Sequence, residues 1–249
     1  MHYTVAVLTH TNPEVDETEL EESLAPYNEN LTVAPYVAET KEEIIEHAKS
    51  YVNQMKRVKE KEGGELTDFE KKALSCSTEE DYYMLFHDDY SQYDEKGGRI
   101  STYNPKSKWD WYSIGGRWSS EMFGGRNTIQ LKDYPKPEFL DLTEEQAQER
   151  YSKEYDQYQK YIKDGSEMWK AGYYQKKFPR FKDYLYATAD GKTYAILDEN
   201  GIWHEPGEMG WFASSADVED QIDFNKNYYQ KYIAGKDPNL YITIVDCHI

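Results

Sequence analysis

Two apolar, β-branched runs stand at opposite ends of this 249-residue chain, Tyr3 to Leu8 and Leu240 to Val245. Each reads as a buried strand, because neither shows the polar alternation of a strand with one wet face. A strand that is apolar on both faces has to be covered on both, which predicts that the two runs lie side by side in the middle of one sheet. Neither run approaches the roughly 20 apolar residues of a membrane span. The N-terminal run also lacks the basic flank and long apolar core of a secretory signal. A cytoplasmic protein with no membrane partner is the expectation.

Between the two runs the pattern is mainly helical. Thr40 with Glu43 forms a capping box, and Ile44, Ile45, Ala48 and Val52 share a face, which predicts a helix to about Glu60, ended by Gly63-Gly64. Thr67 with Glu70 opens a second, shorter helix, and Thr78 to His87 reads as a third. Thr143 to Tyr161 reads as one helix whose Tyr151, Tyr155, Tyr158 and Tyr161 fall on one side as core packing. Tyr184 to Thr188, Thr193 to Leu197 and Ile202 to His204 read as a small antiparallel meander with turns at Asp190-Gly191 and Asn200-Gly201. Ser215 to Ile233 is a last helix. The order predicts a single α+β domain over residues 1–249, with an irregular Gly- and Trp-rich insertion at 92–139.

Charge narrows the partners. The net charge is −18, yet aromatic residues make up 15% of the chain, more than a disordered acidic segment carries, so it is expected to fold. Residues 1 to 50 hold eleven acids against two bases, whereas residues 96 to 136 hold eight bases against three acids. General nucleic-acid binding is disfavoured by the overall sign. The acidic fifth is either a solvated surface or a face for a basic partner. Cys76 and Cys247 are too few for a disulfide framework and form no CxxC, so both read as free thiols.

The basic stretch carries three Gly-Gly-Arg triplets, at 97–99, 115–117 and 124–126. Paired glycines allow a backbone nest that cradles an anion, Arg adds donors and Trp adds a stacking face. Trp109, Trp111, Gly115, Gly116, Arg117, Trp118 and Arg126, with Trp203, His204 and Trp211 from a second Trp-rich run, are therefore candidate contacts for a phosphorylated small ligand. The competing reading puts the tryptophans in the core, the glycines in close turns, and Arg117 against a carboxylate such as Asp110. Asp246 and His248 lie on one side of the last strand and, with Asp88 and Asp89, are candidate ligands for a hard metal ion in a phosphoesterase. Cys247 faces the other way, which argues against a Cys-His dyad. No cofactor-binding motif and no recognised catalytic motif occurs, so no cofactor and no catalytic residue is assigned.

The motifs KWDWY-x-IGGRW (108–118), WH-x-PG-x-MGWF (203–212) and VDCHI (245–249), together with LAPYNENLTVAPYV (24–37), span most of the chain. In these it resembles a group of proteins encoded by bacteriophages, prophages and other mobile elements. The resemblance implies action in a host bacterial cell and supplies no catalytic residues. The leading expectation is an accessory protein that binds a host protein with a basic surface, with inhibition of an antiviral defence as its purpose. The alternatives are a binder of a nucleotide or other phosphorylated ligand and a metal-dependent phosphoesterase; self-association is left open.

Overall fold

The computed structural model describes residues 1–62, 65–119, 121–166, 169–207 and 218–249. Gly63-Gly64, Trp211 and the expected helix start at 215–217 lie outside the described residues. In chain order the elements are β1 (His2–Thr9), α1 (Thr18–Leu24), β2 (Tyr36–Glu39), α2 (Lys41–Glu62), α3 (Asp68–Ser75), α4 (Glu79–Phe86), β3 (Gln92–Tyr93), β4 (Arg99–Ser101), β5 (Trp111–Ile114) and β6 (Thr128–Gln130). They continue with α5 (Glu144–Arg150), α6 (Ser152–Asp164), α7 (Ala171–Lys177), α8 (Phe181–Ala187), β7 (Ala195–Leu197), β8 (Trp203–His204), α9 (Val218–Tyr232) and β9 (Tyr241–His248).

The chain forms two compact units, one of residues 1–29 with 106–249 and one of residues 30–105. The boundary at 105/106 cuts the irregular segment expected at 92–139 as one insertion. The reason is strand pairing: β3 and β4 pair with each other and with β2, whereas β5 and β6 both pair with β9.

In the larger unit the two end strands are neighbours, as their composition predicts. β1 and β9 run antiparallel through eight paired positions, from His2 opposite His248 to Thr9 opposite Tyr241. The sheet runs β5-β9-β1-β7-β8, with β6 also on β9, and β1 pairs β7 in parallel. Alternation then sorts the side chains. Tyr3, Val5, Val7, Val245 and Cys247 pack on Leu20 and Leu24 of α1 and on Trp109. Ala6, Leu8, Ile242, Ile244 and Ile196 face the other way, against Phe224, Tyr228 and Tyr232 of α9.

Beside the sheet lies an aromatic cluster of Phe139, Ala147, Tyr158, Phe178, Phe181 and Leu185. Its helices differ from the sequence reading in two places. The helix from Thr143 breaks at Tyr151 (φ −107°, ψ 49°) into α5 and α6, while Tyr151, Tyr155 and Tyr158 still turn into the cluster, Tyr161 stacks on Tyr174, and Tyr158 donates its hydroxyl proton to Phe178 O at 2.9 Å. Residues 184–187, expected as the first strand of a meander, lie in α8: Asp183 closes a capping box on Arg180, and Phe181 and Leu185, one turn apart, both bury. The other two strands form the β7–β8 hairpin around Gly201 (φ 71°).

In the smaller unit α2, α3 and α4 share a core of Ala48, Val52, Met55, Ala73 and Leu85. The boxes expected at Thr40/Glu43 and Thr67/Glu70 are both closed, and Thr78 forms a third with Asp81.

Candidate functional site

At one end of the large sheet the apolar rows give way to polar ones. Trp111 of β5 stands opposite His248 of β9, which stands opposite His2 of β1; in the next row Ser113 stands opposite Asp246, which stands opposite Thr4. Because Val245 and Cys247 face α1, Asp246 and His248 share the other face.

Asp246 is 1% exposed and fully employed. Its Oδ1 is 2.9 Å from His2 Nδ1, and its Oδ2 accepts from the Arg117 backbone N–H at 3.1 Å. The turn that delivers that N–H depends on Gly115 (φ 69°) and Gly116 (φ 49°). A Cβ on Gly116 would lie 2.4 Å from Asp246 Cβ, and one on Gly115 would lie 2.3 Å from Asn127 Oδ1. The Gly115 N–H is spent on Ile244 O at 2.8 Å. The glycine pair thus builds the tight, inward-facing turn read from the sequence, and the anion it meets is the protein's own Asp246.

His248 is held in the same way, with Nδ1 2.8 Å from Asp110 Oδ1 and Nε2 3.0 Å from the Met1 nitrogen. Its ring stacks on Trp111 (5.6 Å, 13°) and meets the His2 ring edge-on (4.9 Å, 68°). Burial alone would raise the Asp110 carboxyl, but hydrogen bonding and charge from His248 hold it below the usual carboxylate range. Asp110 therefore pairs with His248, and Arg117 contributes its backbone. Cys247 is fully buried on the opposite face, its thiol pushed up by burial and by the Asp246 charge.

The site contains two carboxylate–imidazole pairs side by side, His2–Asp246 and His248–Asp110, under a Trp111 that is 44% exposed. A carboxylate at Nδ1 orients each ring, the arrangement found where imidazoles transfer protons. His2 was not singled out from the sequence. The signal was available, since antiparallel pairing of the two end strands brings position 2 to position 248.

The remaining candidates lie apart from this cluster. Trp109 is in the core and donates Nε1–H to Leu24 O at 3.1 Å. Trp118 is half-buried. Arg126 Nε donates to Phe123 O at 3.3 Å, and Arg99 of the first triplet binds Glu39 and Phe86 O. Trp203 and His204 are on β8, at the opposite edge of the sheet from β5. Trp203 Nε1–H donates to Glu205 (2.8 Å), which also holds Lys108 (2.5 Å), and His204 Nε2 is 2.9 Å from Asp198 Oδ2. Together they border a cavity of about 360 Å³ with Asp223, Phe224 and Tyr232.

Asp88 and Asp89 belong to the smaller unit; Asp88 accepts from the N–H groups of Tyr90 and Ser91 and from Ser91 Oγ, and Asp89 is exposed. Among the described residues no three side chains of His, Cys, Asp and Glu converge as a metal site requires. Among the same residues no helix is long and apolar enough to cross a membrane.

No family model, no curated protein and no solved structure matches the chain.

Proposed function

We propose that this chain is an accessory protein of a phage or prophage that acts in the bacterial cytoplasm by binding a basic surface of a host protein, with inhibition of an antiviral defence as its purpose. The observation that carries the reading is on the smaller unit. There Tyr51, Phe69 and Phe86 form a three-ring cluster, with centroids 5.6 to 6.4 Å apart, that leaves Tyr51 39% and Phe69 42% exposed. Exposed aromatic groups of this kind are the anchors on which protein interfaces concentrate their energy. The same helices present exposed carboxylates at Glu46, Asp68, Glu79 and Glu80, on a chain whose net charge is −18. Each of these carboxylates is in an exposed pair with Lys49, Lys71 or Lys41, of the kind that is worth little and readily exchanged.

The test is affinity purification from a bacterial host with the wild type and with Tyr51→Glu/Phe69→Glu, followed by reconstitution with the purified partner. A stoichiometric complex that the double variant loses supports the reading. Recovery of no stoichiometric partner, or only of the chain itself, overturns it.

A further inference from the structure

Two cavities open in the larger unit where residues 133–139 meet the start of α6 and the end of α8. The wider, of about 480 Å³, has Phe139, Tyr151 and Leu185 on its apolar side and Glu138, Glu154 and Asp190 on its acidic one. The narrower, of about 240 Å³, sets Phe123 and Ile129 against Glu121, Asp133 and Asp190. Pro135 and Asp190 line both, so the two form one groove with Asp190 at its waist. The wider part alone has the size of a small-molecule site.

Phe123, Ile129, Phe139 and Leu185 are buried, whereas the carboxylates of the lining are exposed, so the groove has an apolar floor and an acidic rim. The waist is pinned by the residue after Asp190. Gly191 (φ 75°) packs so closely that a Cβ would lie 2.8 Å from the Phe123 ring and 3.1 Å from Tyr134 Oη. Five carboxylates share the groove with two cations, and both cations are engaged, Lys136 Nζ with Asp141 at 2.8 Å and Arg126 Nε with Phe123 O at 3.3 Å. Among the described residues Glu138 is in an ion pair, with Arg150, and the other four carboxylates are in none. Such a lining attracts a cation. Its charges do not gather at a point, since among the described residues no three side chains of His, Cys, Asp and Glu converge as a metal site requires. Glu154 lies in the wide part, Asp190 at the waist and Asp133 in the narrow part, a succession that suits spaced charges better than a single ion.

We propose that this groove binds an aliphatic polyamine, with its methylene segments on the apolar floor and its ammonium groups at Glu154, Asp190 and Asp133 in turn. Alkylammonium chains lie along apolar surface while their charged heads stay in polar surroundings. A single exposed ion pair contributes little, so a simple amine is held poorly. Joining several charges through methylenes makes each later contact intramolecular, and the weak pairs then act together. The site is independent of the partner-binding surface on the smaller unit.

Calorimetry and thermal melting with spermidine, putrescine, hexaamminecobalt(III) and the peptide trilysine test it. The proteins are the wild type, Asp133→Asn/Asp190→Asn and the charge-matched control Glu14→Gln/Glu95→Gln, all four positions being exposed. Spermidine is expected to bind and raise the Tm. It should bind about tenfold more tightly than putrescine, which has one charge fewer, and than hexaamminecobalt(III), whose charge sits at a point. The Asp133/Asp190 variant should lose about tenfold in spermidine affinity and the control less than about twofold. An equal loss in both variants reduces the effect to net charge and overturns the site. Hexaamminecobalt(III) binding as tightly as spermidine overturns it too, because the apolar floor then plays no part. Tighter binding of trilysine than of spermidine overturns the polyamine in favour of a basic peptide, and no binding of spermidine overturns the proposal outright.

Discussion

A methyl group at Gly116 has no room, because the carboxylate it would strike is itself held from two sides. Gly116→Ala is expected to destabilise the larger unit by about 3 kcal/mol, since a positive φ and a steric clash act together. A lowered urea midpoint with an unchanged slope is the check. Glu19 makes a different point about the acidic N-terminal fifth. Burial alone would raise its carboxyl, but the N–H groups of His10 and Thr11, the Thr11 hydroxyl and the His10 ring bring it down to about 2. A carboxyl lowered on folding stabilises at pH above its unfolded value, and the contribution disappears as pH falls through the folded value. The Tm difference between wild type and Glu19→Gln should therefore be constant above pH 5 and shrink between about 4.5 and 2. At least one acid of this segment works inside the fold, tying the end of β1 to α1.

At the scale of elements, the capping boxes are where the sequence is most explicit. Thr67→Ala removes the acceptor for the Glu70 N–H and should cost about 1 kcal/mol, seen as faster amide exchange in α3. Local chemistry of this kind made α2, α3 and α5 legible, and the apolar composition of β1 and β9 made their pairing legible. What failed was local ambiguity settled by distant packing. Tyr184 to Thr188 has the aromatic content of a strand, but Phe181 and Leu185 bury together only on a helix. The candidate site was half legible. Alternation along β9 placed Asp246 and His248 on one face, and paired glycines predicted an inward-facing turn. That Asp246 would occupy the turn depends on β5 lying beside β9, a long-range pairing with no sequence motif of its own.

For the whole molecule, the dominant quantity is charge. With a pI near 4.8, solubility should pass through a minimum close to that pH and recover on either side, which light scattering across a pH series would show. Docking on a basic partner should weaken as salt rises from 50 to 500 mM, mainly through a slower association rate. A complex indifferent to salt would shift the weight from the carboxylates to the exposed aromatic rings.

The parallel and antiparallel neighbours of β1 also set an order of events during synthesis. His2 and Asp246, which touch in the finished sheet, are separated by 244 positions, so the ribosome delivers one long before the other. The smaller unit, a continuous run of 76 residues from 30 to 105, can close while translation continues. β1 has to wait, an apolar strand with bare edges, until β7 and then β9 emerge. Such a strand invites pairing with another nascent chain, and flanking charges are what discourage it. The acids from Glu14 to Glu22 follow β1 directly. On this view a charge of −6, a third of the net −18, is placed where it keeps the first strand single until its last partner has been made.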